Sequence, residues 1–243
     1  MKRILDKIYP FKRWFDSLFI YPKMGKGELN YNSYWQKRRL GIKTQLNSFQ
    51  KKRADMALKY LKENSSIIDI GCGSGLVLEY INQRKSMSNL IGVDVSEDAL
   101  NIARQKGIEV ILKDISETKN LKSLPPADYI FLFEIIEHLP HSEDLLMWAV
   151  ENAKKGIFFS VPNTGFFIHR LRLLLGRFPL QWRVYPSEHL RFWTLKDIKW
   201  WLNELNIKNY KLHLYEGFPV LNKLWPSLFG QGIFVYASAA SAS

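Results

Sequence analysis

Apolar residues recur along this chain in two rhythms. Short continuous runs at 66–70, 90–96, 109–114, 128–134 and 156–163 carry little alternation, as expected for strands covered on both faces. Between them lie segments with apolar positions three and four apart: Ala54, Ala57, Leu58 and Leu61 in one, Leu145, Leu146, Ala149 and Ala153 in another. These read as helices with one buried stripe. Strand and helix alternate at the spacing of a parallel, doubly wound α/β sheet. After Asn163 the regularity stops. A basic, apolar insertion fills 164–187, a helix opens near Thr194, and two further strands are expected at about 208–214 and 232–238.

Polar residues punctuate the strands at their ends. The first run closes as Ile67-Ile-Asp-Ile-Gly-Cys-Gly-Ser-Gly75, a strand, a tight turn and a helix start. Glycine at 71, 73 and 75 permits sharp turning and close approach of a ligand to the backbone. The second run ends in Asp94, the third in Asp114 and the fourth in Glu134. Ser96 is suited to cap the next helix, with Glu97 and Asp98 in its first turn. Strand ends of a parallel sheet share one edge, and such sheets bind ligands along that edge.

The chemistry of that edge selects the ligand. A dinucleotide turn has the spacing G-x-G-x-x-G, whereas this one is G-x-G-x-G. Asp69 lies two residues before the first glycine, unfavourable beside a pyrophosphate and favourable beside a cation. S-adenosylmethionine (SAM) carries an ammonium and a sulfonium and no phosphate. Asp94 is placed to accept from both ribose hydroxyls, and Asp114 from the adenine amino group.

With Ile68-Asp-Ile-Gly-Cys-Gly-Ser-Gly75, Gly92-Val-Asp-Val-Ser96, Lys113-Asp114 and Glu134-Ile-Ile-Glu-His-Leu139 in place, residues 50–240 resemble the class I SAM-dependent methyltransferases. Val161-Pro-Asn-Thr-Gly165, Glu188-His-Leu-Arg-Phe-Trp-Thr-Leu-Lys-Asp197 and Trp225-Pro-Ser-Leu-Phe-Gly230 are similar to the MetW-type branch. The resemblance implies a Rossmann-like, mostly parallel seven-stranded sheet whose last strand is antiparallel. It implies cofactor contacts at Asp69, Gly71, Gly73, Gly75, Asp94, Asp114 and Glu134, with Cys72, Val95 and Ile115 lining the same cleft. The expected organisation is an arm at 1–48 and a SAM-binding domain at 49–243, with 164–193 as a substrate lid.

Methyl transfer to a hydroxyl needs a base, and His is suited to that near neutral pH. Glu137, His138 and His189 are the catalytic candidates. For each histidine a structural role, ordering the loop after strand four or linking insertion to core, stays open beside the catalytic one. No Cys/His cluster with metal spacing exists, so no metal is expected from sequence. The turn after strand four lacks the Asn/Asp-Pro-Pro-aromatic pattern of amino-directed methylation. Cys72 lies inside the glycine turn and is unsuited to be a nucleophile.

Charge adds information about the acceptor. The net charge is +12. Residues 1–60 hold 15 basic and 4 acidic side chains, 61–165 hold 10 and 15, and 166–243 hold 10 and 4. A mildly acidic core between basic flanks points to an anionic, small-molecule, glycan or lipid-linked acceptor. It argues against nucleic acid, although RNA methylation is a third reading, after a regulatory MetW-like subunit. Ile4, Leu5, Ile8, Phe11, Trp14, Phe15, Leu18 and Phe19 recur at helical spacing among basic residues. Residues 1–22 therefore either lie on a membrane surface or pack on the domain. Asp6, Lys7, Lys12, Arg13 and Asp16 break any signal-peptide core, and a single cysteine suits a reducing cytoplasm.

Overall fold

The computed structural model describes residues 15–21, 45–180 and 189–239. Seven strands form one sheet: β1 (Ser66–Ile70), β2 (Asn89–Asp94), β3 (Glu109–Leu112), β4 (Ala127–Phe133), β5 (Ala153–Pro162), β6 (Tyr210–Tyr215) and β7 (Gly232–Ser238). Their order is β3-β2-β1-β4-β5-β7-β6. The first five are parallel, and β7 runs antiparallel to both β5 and β6. Chain direction across the sheet reverses between β1 and β4, the switch point where a crevice opens at the carboxyl edge. The seven-stranded α/β expectation holds.

Alternation along β1 decides what faces what. Ile68 and Ile70 pack with Ile130, Leu132, Phe159 and the buried faces of α5 (Ser142–Asn152) and α7 (Leu195–Glu204). Ile67 packs on the other face with Phe131, Phe158, α1 (Ser48–Ala57) and α2 (Leu76–Asn82). Asp69 is two residues on from Ile67, so it shares that second face. Its neighbour there is α1, which carries Arg53.

Some bounds differ from those expected. The third strand stops at Leu112, not Asp114, because the Asp114 carboxylate accepts from the Ser116 amide at 2.9 Å and turns the chain. The second stops at Asp94 for the same reason, its carboxylate accepting from the Ser96 amide at 2.9 Å. Helix α1 ends at Ala57 rather than 62, and β5 begins at Ala153 directly after α5. Ser96 caps α3 (Glu97–Arg104), and Thr194 caps α7 with a full capping box. A short α4 (Thr118–Leu121) follows β3.

The insertion folds into α6 (Phe167–Leu174), and two short helices, α8 (Leu221–Leu224) and α9 (Pro226–Phe229), connect β6 to β7. Residues 15–19 form a helical turn lying on α6: Leu18 is buried with Phe166 and Ile168. The rest of the 1–48 arm and Arg183 of the insertion lie outside the described residues.

Candidate active site

The glycine turn is held to β2. The amides of Gly71 and Cys72 donate to the Val93 carbonyl at 2.8 and 3.1 Å, and the Gly73 amide donates to the Asp94 carboxylate at 2.8 Å. Gly75 opens α2 with φ +71°, and a Cβ there would lie 2.4 Å from Ile108. A side chain at that position is excluded by both backbone and space. Asp94 thus fixes the turn while keeping lone pairs for a ligand. Val95 is exposed at the cleft edge, Asp114 is exposed, and Ile115 packs against the core. Burial pushes the Cys72 thiol well up, aided by Asp69 and Asp94, so it stays protonated.

Asp69 is buried, and burial pushes its carboxyl up to about 8, with Arg53 opposing and Asp94 adding to the shift. A folded state that holds this proton where the unfolded chain releases it loses stability as pH rises toward that value. Burial raises Glu137 also, which acts in the same direction. His169 at about 4 and His189 at about 3 act oppositely, but only below the ordinary histidine range. The ligand-free melting temperature is therefore expected to fall between pH 7 and 8.5, and Asp69→Asn to flatten that slope. Scanning calorimetry across this window checks it; an unchanged slope in the variant refutes the assignment.

At the end of β4 the chain takes an unusual step: Glu134 has φ +54°. Its amide donates to the Ser160 carbonyl at 3.0 Å, and its Oε1 accepts from the Ser160 hydroxyl at 2.8 Å. Arg53 pairs with the same carboxylate at 3.1 Å and donates to the Tyr215 hydroxyl at 3.2 Å. The sequence-predicted cofactor residue Glu134 is thus tied to α1, β5 and β6. Arg53, Ser160 and Tyr215 were not expected at the site. Arg53 could have been suspected as the one basic residue of Lys51-Lys-Arg53 beside Ala54 and Ala57 on the buried stripe. Its Nε is buried and meets no partner.

A second group lies just beyond. Glu137 and His138 occupy a 3₁₀ turn, Ile136–His138. The Glu137 carbonyl accepts from the Leu190 and Arg191 amides at 2.8 and 3.2 Å. Arg191 then grips Glu143 of α5 with both guanidinium nitrogens, at 3.1 and 3.0 Å. This clamp carries His189 to His138, with rings 4.7 Å apart edge to face. One ligand atom from each of Glu137, His138 and His189 lies within 4.8 Å of the others. Both carboxylate oxygens of Glu137 and Nδ1 of His189 are buried without a hydrogen-bond partner. A carboxylate and two imidazoles, with buried lone pairs left unmatched, suit a divalent cation. Sequence spacing gave no sign of this, because the third ligand comes from a separate segment.

The lid residues divide instead of forming a single apolar wall. Phe166 and Ile168 are buried against Leu18, and Phe167 packs on Phe218 and Phe229. Arg170 donates to the Gly165 carbonyl, and Arg172 and Arg177 donate to backbone carbonyls of residues 17–20. These three arginines are structural ties, not the anion-facing row expected from sequence.

A seven-stranded sheet of this order, with acidic strand ends around a glycine turn, defines a class I SAM-dependent methyltransferase fold. Residues 34–212 match the family model described as a methyltransferase domain. The chain belongs to that family. It is similar to the mitochondrial ubiquinone biosynthesis O-methyltransferase of Candida albicans, 28% identical over 68% of this chain and 52% of that one. It is also 26% identical to the bifunctional methionine biosynthesis protein MetXA/MetW of Rhodopirellula baltica, over 62% of this chain and 26% of that one. The chain spans about half the length of the first of these curated relatives. Among solved structures, a SAM-dependent methyltransferase from Archaeoglobus fulgidus superposes with a TM-score of 0.61 at 22% identity, covering 86% of this chain and all of that one.

Proposed function

We propose that this chain transfers the SAM methyl group to a hydroxyl oxygen of a small molecule held beside Glu137, His138 and His189. The convergence of those three donors at the carboxyl edge, next to the glycine turn's β4 neighbour, carries the reading. Similarity to ubiquinone biosynthesis O-methyltransferases supports an oxygen acceptor. The basic flanks favour an acceptor that is anionic or lipid-linked.

Transfer is an in-line displacement, so the protein's share is position and removal of one proton. Asp69, Asp94 and Asp114 hold and orient the donor through its ammonium, ribose and adenine groups. A divalent cation at the Glu137 group, when bound, supplies positive charge that favours the deprotonated hydroxyl. His189 is held neutral by burial and the neighbouring His138, so its imidazole presents a lone pair.

The test is label transfer from SAM into a fractionated small-molecule and lipid extract, with Mg²⁺ or Mn²⁺ and with a chelator. Label in a hydroxyl-bearing product that falls at least tenfold on chelation is expected. Undiminished transfer in chelator removes the cation from the reading. A second reading, a regulatory subunit, is supported by the MetXA/MetW similarity. No transfer to any fraction, together with a stoichiometric co-purifying enzyme, would establish it instead.

A further inference from the structure

Helix α6 is built inside out. Leu171, Leu174, Leu175 and Phe178 stand at i, i+3, i+4 and i+7, the spacing that normally faces a core. All four are exposed, Leu174 by 82%. The polar residues His169 and Arg172 are the ones turned inward, with Arg172 only 1% exposed. This is the reverse of the ordinary partition, in which arginine is almost never fully buried unless paired.

Arg172 explains how the inversion is held. Its guanidinium donates to the carbonyls of Ser17 and Ile20, and Nε donates to that of Phe178. Arg177 donates to the Phe19 carbonyl at 2.7 Å. Both guanidinium groups also lie over the Tyr21 ring, at 5.5 and 5.0 Å. The segment 15–21 is thereby strapped along α6, and only Leu18 turns in. Phe15 and Phe19 remain exposed beside the leucines, stacked edge to face at 5.6 Å. Two segments distant in sequence thus present one continuous apolar surface.

Its surroundings are basic. No acidic residue occurs between 164 and 187. Around the strapped segment, Lys12, Arg13, Lys23 and Lys26 stand against Asp16 alone. No helix among the described residues is long and apolar enough to cross a membrane. We infer that the joint surface of α6 and residues 15–21 docks on a bilayer carrying anionic headgroups. Its leucine and phenylalanine side chains enter the acyl boundary, and the basic residues meet lipid phosphates. A second copy of the chain would bring the same basic rim against itself, which the charges oppose. The assignment stands whatever the acceptor is.

Vesicle flotation with the full chain tests it, using phosphatidylcholine vesicles with and without 30 mole per cent phosphatidylglycerol, a fraction on the order of that in anionic bilayer surfaces. Binding to the anionic vesicles at least tenfold tighter than to neutral ones is expected. Leu174→Glu with Leu175→Glu should reduce it at least tenfold, with SAM affinity by calorimetry unchanged as the check on folding. Phe19→Ser, on the strapped segment, should weaken it independently. Equal flotation of wild type and variants overturns the assignment. So does a wild type that stays off vesicles while forming a dimer, or a complex with an acidic protein, that the leucine variants disrupt.

Discussion

Replacing Glu137 by alanine is expected to slow methyl transfer at least a hundredfold, while SAM affinity stays within twofold. The carboxylate is fully enclosed and makes no hydrogen bond, so it does little for the fold that a neutral side chain would not do. An unmatched buried carboxylate instead costs stability, and the variant should melt no lower than wild type. Its place is beside His138 and His189, where it completes the only candidate cation group among the described residues. Loss of a proton-handling group costs about 10²- to 10⁴-fold in rate, roughly 3–5 kcal/mol of barrier. His189→Ala, which leaves the Leu190 and Arg191 amides on the Glu137 carbonyl, should cost at least tenfold. Single-turnover kinetics at saturating SAM separates this from binding. Wild-type turnover in both variants would move the acceptor elsewhere on the edge.

Replacing Asp94 by alanine is expected to act on the other substrate. Cofactor affinity should fall by about 1.5–3 kcal/mol, the loss of charge-assisted hydrogen bonds to the ligand. The geometry gives a reason for the upper end. The same carboxylate holds the Gly73 amide and the Ser96 amide, so its removal also frees the glycine turn and the entry to α3. Asp94→Asn retains one acceptor oxygen and should lose less. Isothermal calorimetry with SAM and S-adenosylhomocysteine measures both. Equal affinity for wild type and Asp94→Ala would place the ribose away from β2.

The contrast between these two groups shows what the chain discloses in one dimension. The glycine turn, Asp69 and Asp94 are legible because strand, turn and helix follow one another within about one βαβ unit, and spacing alone fixes their relation. Ser96 as a helix cap is legible for the same reason. The Arg53–Glu134–Tyr215 cluster is not, since α1, β4 and β6 meet only through sheet order. Nor is the meeting of Glu137 with His189. It depends on Arg191 gripping Glu143 and on two amides reaching the Glu137 carbonyl, contacts no periodicity encodes. On α6, periodicity identified a real stripe, but only the strapped segment 15–21 shows that the stripe faces outward.

Tyr215 sits late in the chain, on the strand that borders β7, and β7 must slip between it and β5. During synthesis from the N-terminus, Arg53 and Glu134 emerge long before their hydroxyl partner. The parallel core can collapse first, with the guanidinium matched on one side only. The crevice for the donor is then finished last, when the C-terminal strand completes the sheet. A nascent or truncated chain would carry every glycine and aspartate of the cofactor turn and still lack a closed edge. Ribosome-stalled chains of increasing length should therefore acquire SAM protection in one late step, after β7 has left the exit tunnel.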